Sequence, residues 1–161
     1  SSDLCRNQKN DFSTVIKLVD FYKDFKPDLA PKEMLELGVF GGSYFAGEIN
    51  EYPKSWFKKA KISKEFNKDL NYFKVKAGLS FEEWKKKGWI MKEDPKGWFE
   101  WYCRFYMGRR ILDVDKIQIK RWKAFGPRHI GGIKKNCDSM DLDCRKVQRQ
   151  ALLQWAYNPF F

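Results

Sequence analysis

The run from Asp94 to Phe125, DPKGWFEWYCRFYMGRRILDVDKIQIKRWKAF, constrains this chain more than any other stretch. Trp98, Phe99, Trp101, Tyr102, Phe105 and Tyr106 recur at mixed three- and four-residue spacings. Together they cover more than one face of a helix, so that helix has to be central rather than surface-lying. Asp94 can accept from the first free N–H groups, and Pro95 suits the first helical position. Gly108 ends the helix, with Arg109 and Arg110 just beyond. Asp115 and Gln118 are spaced as a capping box that opens a second helix. On that helix Ile119, Trp122 and Phe125 face the core, and Lys116, Lys120 and Lys123 form a basic stripe at i, i+4 and i+7.

The charge is concentrated in the same place. Of a net +11, residues 96–135 contribute eleven Lys/Arg against Glu100, Asp113 and Asp115, a net of +8. Residues 136–161 balance at zero. A localised positive field suits polyphosphate or an anionic membrane surface; a merely soluble basic surface is the plainer alternative. An aromatic content of 17% with seven Trp argues for a folded core and against disorder, and the length suits one domain.

The rest of the chain reads as short helices between strong punctuation. Residues 1–12 are polar and read as a flexible segment, with a single domain over 13–161. Ser13 or Thr14 caps a helix with Val15, Ile16, Leu18, Val19 and Tyr22 on its apolar side, ending before Pro27. PKEMLELG starts at Pro31 and closes at Gly38, and Gly41-Gly42 forces a turn. GVFGG has no preceding strand and is not a complete dinucleotide-binding fingerprint. Ser43–Ile49 reads as a helical turn or two, and Pro53 opens PKSWFKKA with Trp56 and Phe57 inward. Residues 63–76 are ambiguous between helix and irregular structure. Ser80 with Glu83 is a second capping box, with Phe81 and Trp84 inward, Lys85–Lys87 solvated and Gly88 as the stop. Gly126-Pro127 breaks the chain after Phe125, leaving a weak helix over Arg128–Asn136. Asp143 caps a last helix to about Tyr157, with Val147, Leu152, Leu153 and Trp155 or Ala156 inward. With no strand pair in view, the fold class is all-α.

The best functional signal is the basic set Arg104, Arg109, Arg110, Lys116, Lys120, Arg121, Lys123 and, past the break, Arg128. Phosphate contacts supply most non-specific affinity for nucleic acid, and arginine grips phosphate or guanine with two parallel hydrogen bonds. Arg104 lies inside the aromatic helix and can pair instead with Glu100 one turn away. A carboxylate near DNA is repelled by phosphate, so Asp113 and Asp115 need a reason to be there. One reason is a structural cap; the other is recognition, since a carboxylate accepts from an exocyclic amine or a sugar hydroxyl. The aromatic set at 98–106 reads as core rather than as a base-stacking platform, with Tyr102 and Tyr106 able to put a hydroxyl at the rim. His129 is a lone histidine, and Cys5, Cys103, Cys137 and Cys144 match no common zinc pattern. Neither a catalytic constellation nor a metal or cofactor site is read from the residues. Nothing in the spacing requires a Cys137–Cys144 disulfide, and the cysteines are expected reduced in an intracellular protein, nuclear if eukaryotic. No apolar run is long enough to span a membrane.

At WFEWYCRFYMGRR followed by QIKRW, with ELGVFGG and YPKSWF before them, the chain resembles a family of small basic microbial proteins over roughly residues 34–157. The helix pair is also similar to the DNA-binding domain of base J-binding proteins. That resemblance implies an all-helical bouquet with a helix-turn-helix element. In it Lys116, Lys120 and Arg121 would hold the DNA backbone, and Asp113 or Asp115 would read a glucosylated base. The turn from Gly108 to Val114 is longer than that of a simple helix-turn-helix.

The expectation is therefore a monomeric, non-enzymatic domain that binds duplex DNA through a helix-turn-helix-like pair. Its contacts would be Arg109, Arg110, Asp113, Asp115, Lys116, Lys120, Arg121, Lys123 and Arg128. A nucleic-acid-processing enzyme using His129, Tyr102 or Asp113, and an RNA or protein interaction module, are the alternatives.

Overall fold

A computed structural model describes residues 21–161. Their helices are α1 (Pro31–Glu36), α2 (Phe81–Lys86), α3 (Trp98–Tyr106), α4 (Leu112–Asn136) and α5 (Lys146–Gln154), with 3-10 turns at Lys54–Trp56 and Lys68–Leu70. No strand occurs among the described residues, only an isolated bridge between Met91 and Asp94. The domain is all-α. Phe21–Lys23 is helical and gives way to a turn before Pro27. The expected cap at Ser13 or Thr14 and the apolar positions Val15 to Val19 lie outside the described residues.

The aromatic run forms the core helix its spacing demands: seven of the nine residues of α3 are buried. Phe25 inserts between α3 and α4, its ring 4.9 Å from that of Trp122 and 5.4 Å from those of Trp101 and Phe105. Such aromatic pairs contribute beyond the area they bury. The start of α3 differs from expectation. The helix begins at Trp98, not Pro95, and its N-cap is Gly97 at φ 115°. Capping comes from side chains: Glu100 Oε1 accepts from Lys96 N, and the Tyr44 hydroxyl accepts from Glu100 N while donating to Lys96 O. Asp94 is thereby released for another purpose. Tyr102 is also not at a rim; its buried hydroxyl donates to Leu29 O at 2.6 Å.

α4 runs unbroken through Gly126-Pro127, where a break was expected. An interior proline removes one helical hydrogen bond and costs roughly 3 kcal/mol. Packing offsets that cost. The Tyr157 ring lies on the helix backbone at Gly126, where an added Cβ would come within 2.1 Å of it. That ring stacks on Trp122 at 4.7 Å, and its hydroxyl donates to Trp122 O. Trp122 Nε1 in turn donates to Trp155 O at 2.9 Å. Tertiary contacts in the turn just before the proline thus hold a helix that the local sequence would interrupt.

Other segments depart in smaller ways. Ser43–Ile49 forms turns, and 63–76 is irregular around the second 3-10 turn. The Ser80/Glu83 box opens α2 as expected, but Phe81 is 51% exposed. α5 starts at Lys146 after Arg145 at φ 59°; Asp143 does not cap it and pairs with Lys146 instead. Val147 is exposed, while Arg149 and Gln150 are fully buried. A charge inside a core has to be hydrogen-bonded. The Arg149 guanidinium donates to four carbonyls, those of Cys144, Asp141, Pro159 and Phe161, tying the C-terminal segment to the loop before α5. Cys137 and Cys144 in that loop are joined by a disulfide, contrary to the expectation of reduced thiols. Their Cα atoms stand 5.8 Å apart because α4 ends at Asn136 and the loop doubles back into α5. Cys103 is free and buried.

Candidate nucleic-acid interface

The corner between α3 and α4 is built on two wholly buried carboxylates, Asp94 and Asp115. Asp94 Oδ1 accepts from Arg104 Nη1 at 2.9 Å, and Asp94 Oδ2 from Arg109 Nη2 at 2.6 Å. Arg104 also grips Glu51 with two parallel hydrogen bonds of 2.8 and 3.0 Å and donates to Glu93 O. Glu100 stands 3.6 Å from the same guanidinium. The bonds from Arg104 hold the Glu51 carboxyl below the usual carboxylate range. Arg104 therefore pairs with Glu51 and Asp94 before Glu100. Arg109 is committed to the turn rather than to solvent, although its buried Nε has no partner among the described residues.

Asp115 sits in the first turn and a half of α4, which begins at Leu112 rather than at Asp115. Its Oδ1 accepts from Trp101 Nε1, and its Oδ2 from Ile111 N and the Tyr22 hydroxyl, all between 2.9 and 3.0 Å. The expected Asp115/Gln118 capping box does not form; the N-cap is Ile111, whose backbone N–H donates to the Asp115 carboxylate. Gln118 turns inward, and its Oε1 accepts from Arg121 Nη1. Burial, reinforced by the Asp115 bond, pushes the Tyr22 phenol from 10.0 up to about 12. Asp113, two residues earlier, is exposed. Of the two candidate readers, only Asp113 faces solvent.

The basic residues divide by environment. Arg110 lies over the Phe105 ring at 3.6 Å and donates to Phe105 O, and it is exposed. Arg121 is half-buried and donates to Trp89 O at 2.8 Å; burial lowers its pKa. Lys123 pairs with Asp24 at 2.9 Å on the surface. Lys116, Lys120 and Arg128 are exposed along α4 and form none of the ion pairs found among the described residues. Because the helix does not break, Lys134 and Lys135 join them in its last turn. At 100° per residue Lys116, Lys120, Lys123 and Lys134 fall within an arc of about 60°, with Lys135 and Arg128 about 100° and 120° round the helix from Lys116. Lys134 and Lys135 stand outside the expected contact set because Gly126-Pro127 reads locally as a stop. Their spacing from Lys116 was the available signal.

The remaining reactive groups are held structurally. The His129 ring packs on Phe125 at 4.2 Å, near Gln148, and burial with Arg128 nearby lowers its pKa. Burial pushes the Cys103 thiol well up. Among the described residues no group of three His, Cys, Asp or Glu is placed to hold a metal, and no helix is long and apolar enough to cross a membrane. No family model matches the chain, and neither a curated protein nor a solved structure matches it.

Proposed function

We propose that this protein is a non-enzymatic domain that binds duplex DNA with the exposed face of α4. The observation that carries the reading is the composition of that face. Over 25 residues it presents Lys116, Lys120, Lys123, Arg128, Lys134 and Lys135, against Asp113 as its only exposed carboxylate. At 1.5 Å per residue the helix is about 37 Å long, comparable to one turn of duplex. Lysines spaced along such a length meet successive phosphates and release their counterions. Arg109 and Arg121 act by shaping the corner that presents the helix, and Arg110 can do both.

Asp113 supports a finer reading, a preference for a glucosylated base. It is the exposed carboxylate at the start of the basic face, where an acceptor can meet an exocyclic amine or a sugar hydroxyl. The test is a titration of plain duplex, glucosylated duplex, single strand and RNA at two salt concentrations. Duplex binding with a log–log salt slope of about −4 to −5 is expected from about four to six neutralised phosphates. Absence of duplex binding at low salt overturns the proposal, and preferential binding of RNA replaces it with an RNA-interaction module.

A further inference from the structure

A second feature lies outside the exposed face of α4. A cleft of about 340 Å³ opens beside the Gly97 turn, and no residue of α4 lines it. Trp98 and Trp155, both buried, form its floor. Trp84 stacks on Trp155 at 5.7 Å and 20° to make a wall. Phe66, Leu79 and Phe81 stand around it with 46%, 37% and 51% of their surface exposed. Large apolar side chains ringing one concavity mark a binding groove more often than chance exposure.

The polar groups narrow the occupant. Lys76 and Lys96 line the cleft, and no carboxylate does. Lys96 is taken by Glu48 and lies near Glu100. Lys76 is exposed and forms none of the ion pairs found among the described residues. Gln154 donates through Nε2 to Val39 O and Ala77 O, which turns its Oε1 toward Gly78. That oxygen accepts no hydrogen bond among the described residues. Gly78 has φ +81°, and a Cβ there would crowd Oε1 at 2.9 Å. The site thus offers flat aromatic walls, one acceptor and one available cation.

We propose that this cleft binds a nucleotide, its base stacked against Phe81 and Trp84, a base N–H donated to Gln154 Oε1, and its phosphate on Lys76. Aromatic walls accept any base, because every base presents a π-face. A lysine at the rim supplies the point charge for a phosphate. The nucleotide is either free or an unpaired residue of a strand, since both present the same chemistry.

The test is a ¹H–¹⁵N titration of the full chain with AMP, adenosine, inorganic phosphate, benzyl alcohol and a short single strand of deoxyadenosine. AMP is expected to move the Trp84 and Trp155 indole resonances and the Gly78 and Gly97 amides, adenosine to do so more weakly, and phosphate alone to leave them. Phe81 and Lys76 are exposed, so their variants keep the fold, as an unchanged thermal midpoint will show. Phe81→Ala should weaken AMP roughly tenfold, as loss of a stacking partner does. Lys76→Ala should weaken AMP severalfold and leave adenosine unaffected. Tighter binding of the strand than of AMP at these resonances identifies a strand residue; equal or weaker binding identifies the free nucleotide. No movement at millimolar AMP, insensitivity to both variants, or benzyl alcohol binding as well as AMP each overturns the proposal. A Lys116→Ala/Lys120→Ala double variant should leave the titration unchanged, so failure here is distinct from failure of duplex binding.

Discussion

Trp101 Nε1 donates to Asp115 Oδ1 at 2.9 Å, joining the middle of the core helix α3 to the start of the basic helix α4. The same carboxylate accepts from Ile111 N and the Tyr22 hydroxyl. Three donors from three segments converge on one buried group, so the orientation of the basic face depends on a residue that never meets solvent. Asp115→Ala strands all three donors in the interior. It should cost about 2–5 kcal/mol, since removing one partner leaves the others desolvated and unpaired. Chemical denaturation measures this, and a variant with an unchanged midpoint would show that the corner is held by packing alone.

Asp113→Ala should behave oppositely. The side chain is exposed, so stability should shift by no more than about 0.5 kcal/mol. Plain-duplex affinity should hold or improve as a like charge leaves the phosphates, while discrimination for a glucosylated duplex disappears. An unchanged ratio of the two affinities sinks the modified-base reading and leaves generic duplex binding standing.

Lys120 and Arg121 are neighbours with different expected roles. Lys120→Ala should weaken every duplex about equally and make the salt slope shallower by roughly one unit. Arg121→Ala should lower the thermal midpoint, because it strips the donor from Trp89 O, a loss of about 1–3 kcal/mol. Equal salt-slope changes in both variants would place Arg121 on DNA after all.

Gly126→Ala replaces a poor helix former with the best one, a gain of about 1 kcal/mol in an open helix. Here the new methyl would meet the Tyr157 ring, and overpacking of that kind typically costs about 1–3 kcal/mol. A net fall in thermal midpoint is expected. A rise would mean that Tyr157 moves away at little cost.

Alkaline pH probes the Tyr22–Asp115 contact. Tyr22 titrates near 12 in the folded chain, against 10.0 when exposed. Its contribution is therefore complete below pH 10 and is lost as pH rises toward 12. Tyr22→Phe should be less stable than the parent at neutral pH and should lose less on the way to pH 12. Parallel stability curves across that window would remove Tyr22 as a determinant.

Periodicity in the sequence settled which helix is central. Aromatics on several faces of nine residues have no stable place but the core, and α3 lies there. The Ser80/Glu83 box and the Gly38, Gly88 and Gly108 stops were legible for a similar reason: each is a local hydrogen-bond or dihedral requirement met within four residues. What stayed illegible depended on partners distant in sequence. Pro127 looks like a break until Tyr157 and Trp155 arrive from thirty residues away to hold Trp122 and Gly126. Asp94 looks like a cap until Arg104 and Arg109 close on it. Asp113 and Asp115 are indistinguishable as letters; burial separates them, and burial is a property of the assembled core. The basic stripe from Lys116 was present in the sequence, but its reach to Lys134 follows only from tertiary contacts strong enough to offset a proline.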